Sequence, residues 1–189
     1  MKSTKAQLAA ATSVFFMHKY GYAPRSIISV GVGHASERMI WDWLLPDADL
    51  LGIDPRGRKH GWTARYLQAA VVAPGSPQEV PYCGTCQSIM CPSAKIHSRP
   101  FSVRAVTLDE AASGMQPPFF LWLDCEGAEL NALRGGAEVL KHTRWINAEV
   151  RERAWTNTYT IEFEALARSL GFRLHYVHPD SVDRLYRKR

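Results

Sequence analysis

Phe119-Phe120-Leu121-Trp122-Leu123-Asp124-Cys125-Glu126-Gly127-Ala128-Glu129 decides the fold. The five opening apolar residues read as a strand buried on both faces. Two carboxylates at i and i+2 end it, and a glycine leads into a helical segment with Leu130, Leu133, Ala137 and Leu140 on one face. Gly135-Gly136 is expected to kink or split that segment. In an open α/β sheet the carboxyl ends of the strands are where ligands bind. Asp124 and Glu126 at such an end can polarise an acceptor hydroxyl, hold a divalent ion, or cap the following helix. Glu149, at the end of the next strand, reaches the same cleft or pairs with Arg151 or Arg153.

Outward from this block, strand-like and helix-like stretches alternate. Residues 4–19 and 36–45 read as helices, and Ser26–Val30, Asp49–Ile53, Tyr66–Val72, Phe101–Val106 and Arg144–Val150 as strands. Thr158–Leu170 is a helix expected to face Ile161, Leu166 and Leu170 inward, with Gly171 at its C-terminal cap. Phe172–Val177 and Val182–Tyr186 flank His178-Pro179-Asp180 as a hairpin. The pattern predicts an α/β fold with a mainly parallel sheet and an antiparallel edge, as a single domain over residues 1–189. Its N-terminal helix covers 1–24, and residues 74–100 are a Cys/Pro/Ser-rich loop long enough to be functional. Trp41, Trp43 and Trp122 are expected in the core; Trp62, Trp145 and Trp155 are candidates to border a cleft.

Composition narrows the class. The chain has 189 residues, 46% hydrophobic and 22% charged, which excludes a disordered chain, a collagen and a coiled coil. No stretch reaches the roughly 18 apolar residues of a membrane span. Lys2 and Lys5 precede an apolar run, but Gln7, Thr12 and Ser13 interrupt it, so an amphipathic helix is expected rather than a secretory signal. The net charge of +5 is compatible with an anionic partner without requiring one. The basic tail at 184–189 reads as a solvated face, and no recognition motif accompanies it to indicate nucleic acid.

A second constellation lies upstream. Gly31-Val32-Gly33-His34 follows a strand and opens a helix, the context in which a glycine turn lets backbone approach a nucleotide. Asp54 ends the next strand about 20 residues later, where an acidic side chain can accept both ribose hydroxyls. Ser36 stands where the dinucleotide fingerprint has its third glycine, so a nicotinamide cofactor is disfavoured.

From Phe119 to Val150 the chain resembles the FkbM-type S-adenosylmethionine-dependent methyltransferases. The likeness rests on Asp124-Cys125-Glu126-Gly127-Ala128-Glu129, Leu133-Arg134-Gly135 and Glu149-Val150, with Ile53-Asp54-Pro55 and Val106-Thr107-Leu108-Asp109-Glu110 upstream. It extends over residues 26–178. The resemblance implies the class I methyltransferase fold, a Rossmann-like three-layer sandwich whose seven-stranded sheet ends in an antiparallel hairpin. It implies S-adenosylmethionine as cofactor, with Gly31, Val32, Gly33 and His34 along the methionine portion, Asp54 and Pro55 at the ribose, and Val72 and Ala73 at the adenine. Asp124 and Glu126 would be catalytic, one or the other facing the transferred methyl, with Asp124 also among the cofactor-binding residues. The sequence departs from the family pattern at Ser29, where an acid is usual two residues before the first glycine, and at Trp122, where a lysine is usual. The expected reaction is O-methylation of a small-molecule or glycan hydroxyl.

Four cysteines suit a reducing, cytoplasmic setting better than a disulfide scaffold. Cys83, Cys86, Cys91 and His97 form an alternative zinc set, with unliganded thiols as the plainer reading. Cys125 reads as a small core residue. Two other functions compete with the leading one: a non-catalytic binding module on this fold with a zinc-stabilised loop, and a nucleic-acid methyltransferase.

Overall fold

The computed structural model describes residues 5–32, 36–57, 62, 64–83, 89–90, 101–150, 159–179 and 182–188. Its helices are α1 (Lys5–Lys19), α2 (Arg38–Leu44), α3 (Leu108–Ala111), α4 (Glu129–Arg134), α5 (Ala137–Lys141) and α6 (Tyr159–Ser169). The strands are β1 (Ser26–Val30), β2 (Asp49–Asp54), β3 (Arg65–Gln68), β4 (Ala70–Val71), β5 (Glu79–Tyr82), β6 (Phe101–Val106), β7 (Phe119–Leu123), β8 (Thr143–Glu149), β9 (Phe172–Val177) and β10 (Asp183–Lys188).

Seven strands form the main sheet in the order β3-β2-β1-β7-β8-β10-β9. The first five run parallel; β10 is antiparallel to both β8 and β9. β1 and β7 lie at the centre, and every residue of both is buried, which explains their unbroken apolar runs. Side chains alternate across the pleat into two cores. Ile28, Val30, Leu121, Leu123 and Ile146 pack on one face with α4, α5 and α6 residues. Ile27, Phe120, Trp122, Trp145 and Leu185 pack on the other, under α1 and α2. On that second face Trp41 stacks edge-on against Trp122 with ring centroids 5.5 Å apart.

Several expectations are corrected. Tyr66–Val72 is not one strand: it breaks at Ala69, β3 joining the main sheet and β4 pairing with β6. Residues 74–100 are not wholly loop, because Glu79–Tyr82 pairs antiparallel with β6 as β5. Trp43 is 78% exposed while Trp41 is buried, since residues two apart on a helix point to opposite sides. The same geometry puts Phe163 and Ala167 of α6 in the core and leaves Ile161 68% exposed. Trp62 and Trp145 are buried core residues, and Trp155 lies outside the described residues. Gly135-Gly136 does split the helical segment, separating α4 from α5. Among the described residues no helix is long and apolar enough to cross a membrane.

Candidate active site

Strand register sets the site. Ile53, Val30, Leu123, Ala148, Arg184 and Val177 are neighbours across β2, β1, β7, β8, β10 and β9. One residue further toward the carboxyl edge stand Asp54, Gly31, Asp124, Glu149, Asp183 and His178. Six strands thus bring five polar side chains and one glycine to one edge, although long stretches of sequence separate them.

At the centre of this row β1 and β7 come very close. The Asp124 N–H donates to the Val30 carbonyl at 2.9 Å. A Cβ on Gly31 would stand 1.7 Å from the Asp124 carbonyl oxygen, and Gly31 has φ +81. Both facts require glycine there. Past Asp124 the chain turns sharply: Glu126 has φ +56, a left-handed conformation uncommon outside glycine.

This turn settles the capping alternative. The N-cap of α4 is Ala128, which makes no side-chain cap hydrogen bond. Fully buried Glu129 does the satisfying instead, accepting from the Cys125 N–H at 2.9 Å and the Gly127 N–H at 3.1 Å. Asp124 and Glu126 are therefore not the caps of α4. Their carboxylates meet that of Glu149, with one oxygen from each lying within 4.8 Å of the others, a triangle that can hold a divalent ion. Burial raises the Asp124 carboxyl well above the usual range, and the charges of Glu149, Asp183, Glu126 and Glu129 raise it further.

On the same face Asn147 donates to Asp183 at 2.9 Å, and His178 is 4% exposed with Nε2 unpartnered among the described residues. Burial lowers the His178 pKa, against the opposing pull of Asp183. Glu37, just before α2, is 5% exposed; burial raises its carboxyl to about 7. Burial also pushes the Cys125 thiol up, which suits an inert core cysteine.

A cleft opens beside Asp124, lined by Gly31, Asp54, Pro55, Arg56, Tyr82 and Glu126, with Ala69–Val71 as its small apolar wall. Val72 and Ala73 do not line it. The chain crosses between sheets at Ala69, and by Val72 its N–H is bonded to the Val106 carbonyl. Val32 is fully buried and gives its N–H to Asp54 Oδ2 at 3.1 Å. Ser29 is buried, with Oγ unpartnered among the described residues. Gly33 and His34 lie outside the described residues, as do Cys86, Cys91 and His97 of the zinc set; Cys83 is buried.

Arg56, Glu129, Glu37, Asp183 and His178 were missed from sequence. Glu129 sits in the quoted block, but nothing in the sequence shows it turning back on the Cys125 and Gly127 amides. Asp183 and His178 become readable only once the hairpin register is known.

The strand order, the reversed edge and the carboxyl-edge site define a class I methyltransferase fold. Residues 19–174 match the methyltransferase FkbM domain, and the chain belongs to that family. None of the curated proteins matches the sequence. Among solved structures, the chain is similar to the plantazolicin methyltransferase BpumL, solved with a desmethyl-plantazolicin analogue and S-adenosylhomocysteine. The identity is 12% and the TM-score 0.51, covering 98% of this chain and 84% of that one. It is also similar to a 1,6-didemethyltoxoflavin-N1-methyltransferase from Burkholderia thailandensis, at 10% identity and TM-score 0.47, covering 99% and 79%. An O-methyltransferase-like protein from Nostoc punctiforme aligns at 10% identity and TM-score 0.46, covering 94% and 54%.

The family's cofactor, S-adenosylmethionine, can be tested against these residues. The donor set fits: a carboxylate at the end of β2 for a ribose, a small apolar wall for a base, and carboxylates at the end of β7 for a cationic methionine end. The cleft is tight as it stands, with about 30 Å³ of free space.

Proposed function

We propose that the chain transfers the methyl group of S-adenosylmethionine to a hydroxyl of a small molecule or glycan. The carrying observation is the position of Asp124, released from capping by Glu129 and set beside Glu126 and Glu149 at the central strand end. The bound cofactor supplies an electrophilic methyl on a sulfonium sulfur. Asp54 and Pro55 would receive the ribose, Ala69–Val71 the adenine, and the turn at Gly31 and Val32 the methionine portion. Asp124 then takes the proton of the attacking hydroxyl at a carboxylate oxygen. Its raised proton affinity suits it to that role. Glu126 and Glu149 hold the acceptor by hydrogen bonds, or join Asp124 around a divalent ion that favours the alkoxide.

Calorimetry with S-adenosylmethionine and S-adenosylhomocysteine tests the reading, with methyl transfer to a panel of sugars and phenols. Folded protein that binds neither at millimolar concentration would end it. Activity that survives EDTA assigns the carboxylates as base and hydrogen-bond acceptors; activity lost to EDTA and restored by Mg²⁺ assigns them to the ion.

A further inference from the structure

The carboxylate of Asp54 is fully engaged by its own chain. Oδ1 accepts from the Arg56 backbone N–H at 2.9 Å and from Arg56 Nε at 2.9 Å. Oδ2 accepts from Arg56 Nη2 at 2.8 Å and from the Val32 N–H at 3.1 Å. A carboxylate has about four lone-pair sites, so these four bonds fill it. Asp54 is 1% exposed, so its partners are those of its own chain.

The four bonds differ in how easily they break. Two come from backbone amides held by the turn. The other two come from the fork of a guanidinium, which a rotamer change can withdraw. A quarter of the Arg56 side chain is already in solvent. Its backbone stays anchored, because Tyr66 Oη donates to the Arg56 carbonyl at 2.6 Å. Arg56 also lines the cleft whose free space is about 30 Å³.

We propose that Arg56 is the gate of the cofactor pocket: its guanidinium sits where a ribose diol would bind Asp54, and a nucleoside enters by displacing it. The proposal rests on the methyltransferase reading and adds to it the residue that sets affinity. Entry exchanges two guanidinium N–H donors for two ribose O–H donors at the same oxygens, so Asp54 remains satisfied throughout. Apparent affinity falls by the fraction of molecules whose gate is shut. The gate also selects, since a ligand without a diol offers Asp54 nothing in exchange.

The test is calorimetry of S-adenosylhomocysteine, adenosine and 2′,3′-dideoxyadenosine against wild type, Arg56→Met and Arg56→Lys, with circular dichroism to confirm folding. Arg56→Met should bind S-adenosylhomocysteine and adenosine about three- to tenfold tighter, the scale of a partly exposed charged pair. Dideoxyadenosine should gain nothing. Lysine lacks the fork, so Arg56→Lys should show a smaller gain of the same sign, and it carries the test if the Met variant does not fold. Unchanged or weaker binding in both variants, with wild type binding normally, overturns the gate and leaves the methyltransferase reading intact. A gain equal for the dideoxy ligand also overturns it, reducing Arg56 to bulk. If folded wild type and variants all fail to bind S-adenosylhomocysteine, the methyltransferase reading falls and the gate with it.

Discussion

The carbonyl oxygen of Asp124 stands 1.7 Å from where a Cβ on Gly31 would be, so the two central strand ends approach closely enough to exclude a single methyl group. Gly31→Ala should therefore cost about 3 kcal/mol or more, combining a backbone clash with a left-handed φ. Urea unfolding measures it. A cost under about 1 kcal/mol would show that the strands can part there.

Asp124 and Glu129 should separate chemistry from architecture. Asp124→Asn is expected to keep the fold and lower turnover by about 10²–10⁴-fold, the range for a general base. Glu129→Ala strands the Cys125 and Gly127 amides and should cost about 2–4 kcal/mol of stability. Wild-type turnover in Asp124→Asn, on every acceptor methylated, would move the chemistry to another residue.

Glu37 predicts a pH dependence. Its folded pKa of about 7 exceeds the unfolded value of about 4.3. Between those values the folded chain holds a proton that the unfolded chain has released, so stability falls as pH rises through that window. Glu37→Gln carries no such penalty. Its advantage over wild type should be absent near pH 4, grow toward pH 7 and level off above, as read by urea unfolding at several pH values. An advantage constant with pH would sink the assignment.

Trp41 and Trp43 should respond oppositely to truncation. Trp41→Ala empties a buried site against Trp122 and should cost about 3–5 kcal/mol. Trp43→Ser removes a side chain that is 78% exposed and should change stability by less than about 0.5 kcal/mol.

That pair also shows what sequence can reveal here. The apolar runs of β1 and β7 declare central strands because both their faces are covered, and the order of elements follows from them. Trp41 and Trp43 are equally apolar; only the direction of the helix over the sheet separates them. Asp54, Asp124 and Glu149 were visible as acids at strand ends, because that pattern is local. Arg56 was not, because the fork it closes on Asp54 is a matter of rotamer. The break at Ala69 was hidden as well: Tyr66–Val72 is uniformly strand-like, and only pairing with β6 diverts its second half.

Ala69 has a mechanical meaning. It joins β3 of the main sheet directly to β4 of the small one, and the cleft has Asp54 on the first sheet and Tyr82 on the second. Its width is thus a distance between two hydrogen-bonded sheets that meet at Ala69 over a shared core. A nucleoside wedged there would act as a cross-brace, tying the opening of β5 and β6 to that of the main sheet. Ligand would then slow amide exchange in strands it does not touch, and the two sheets would melt together.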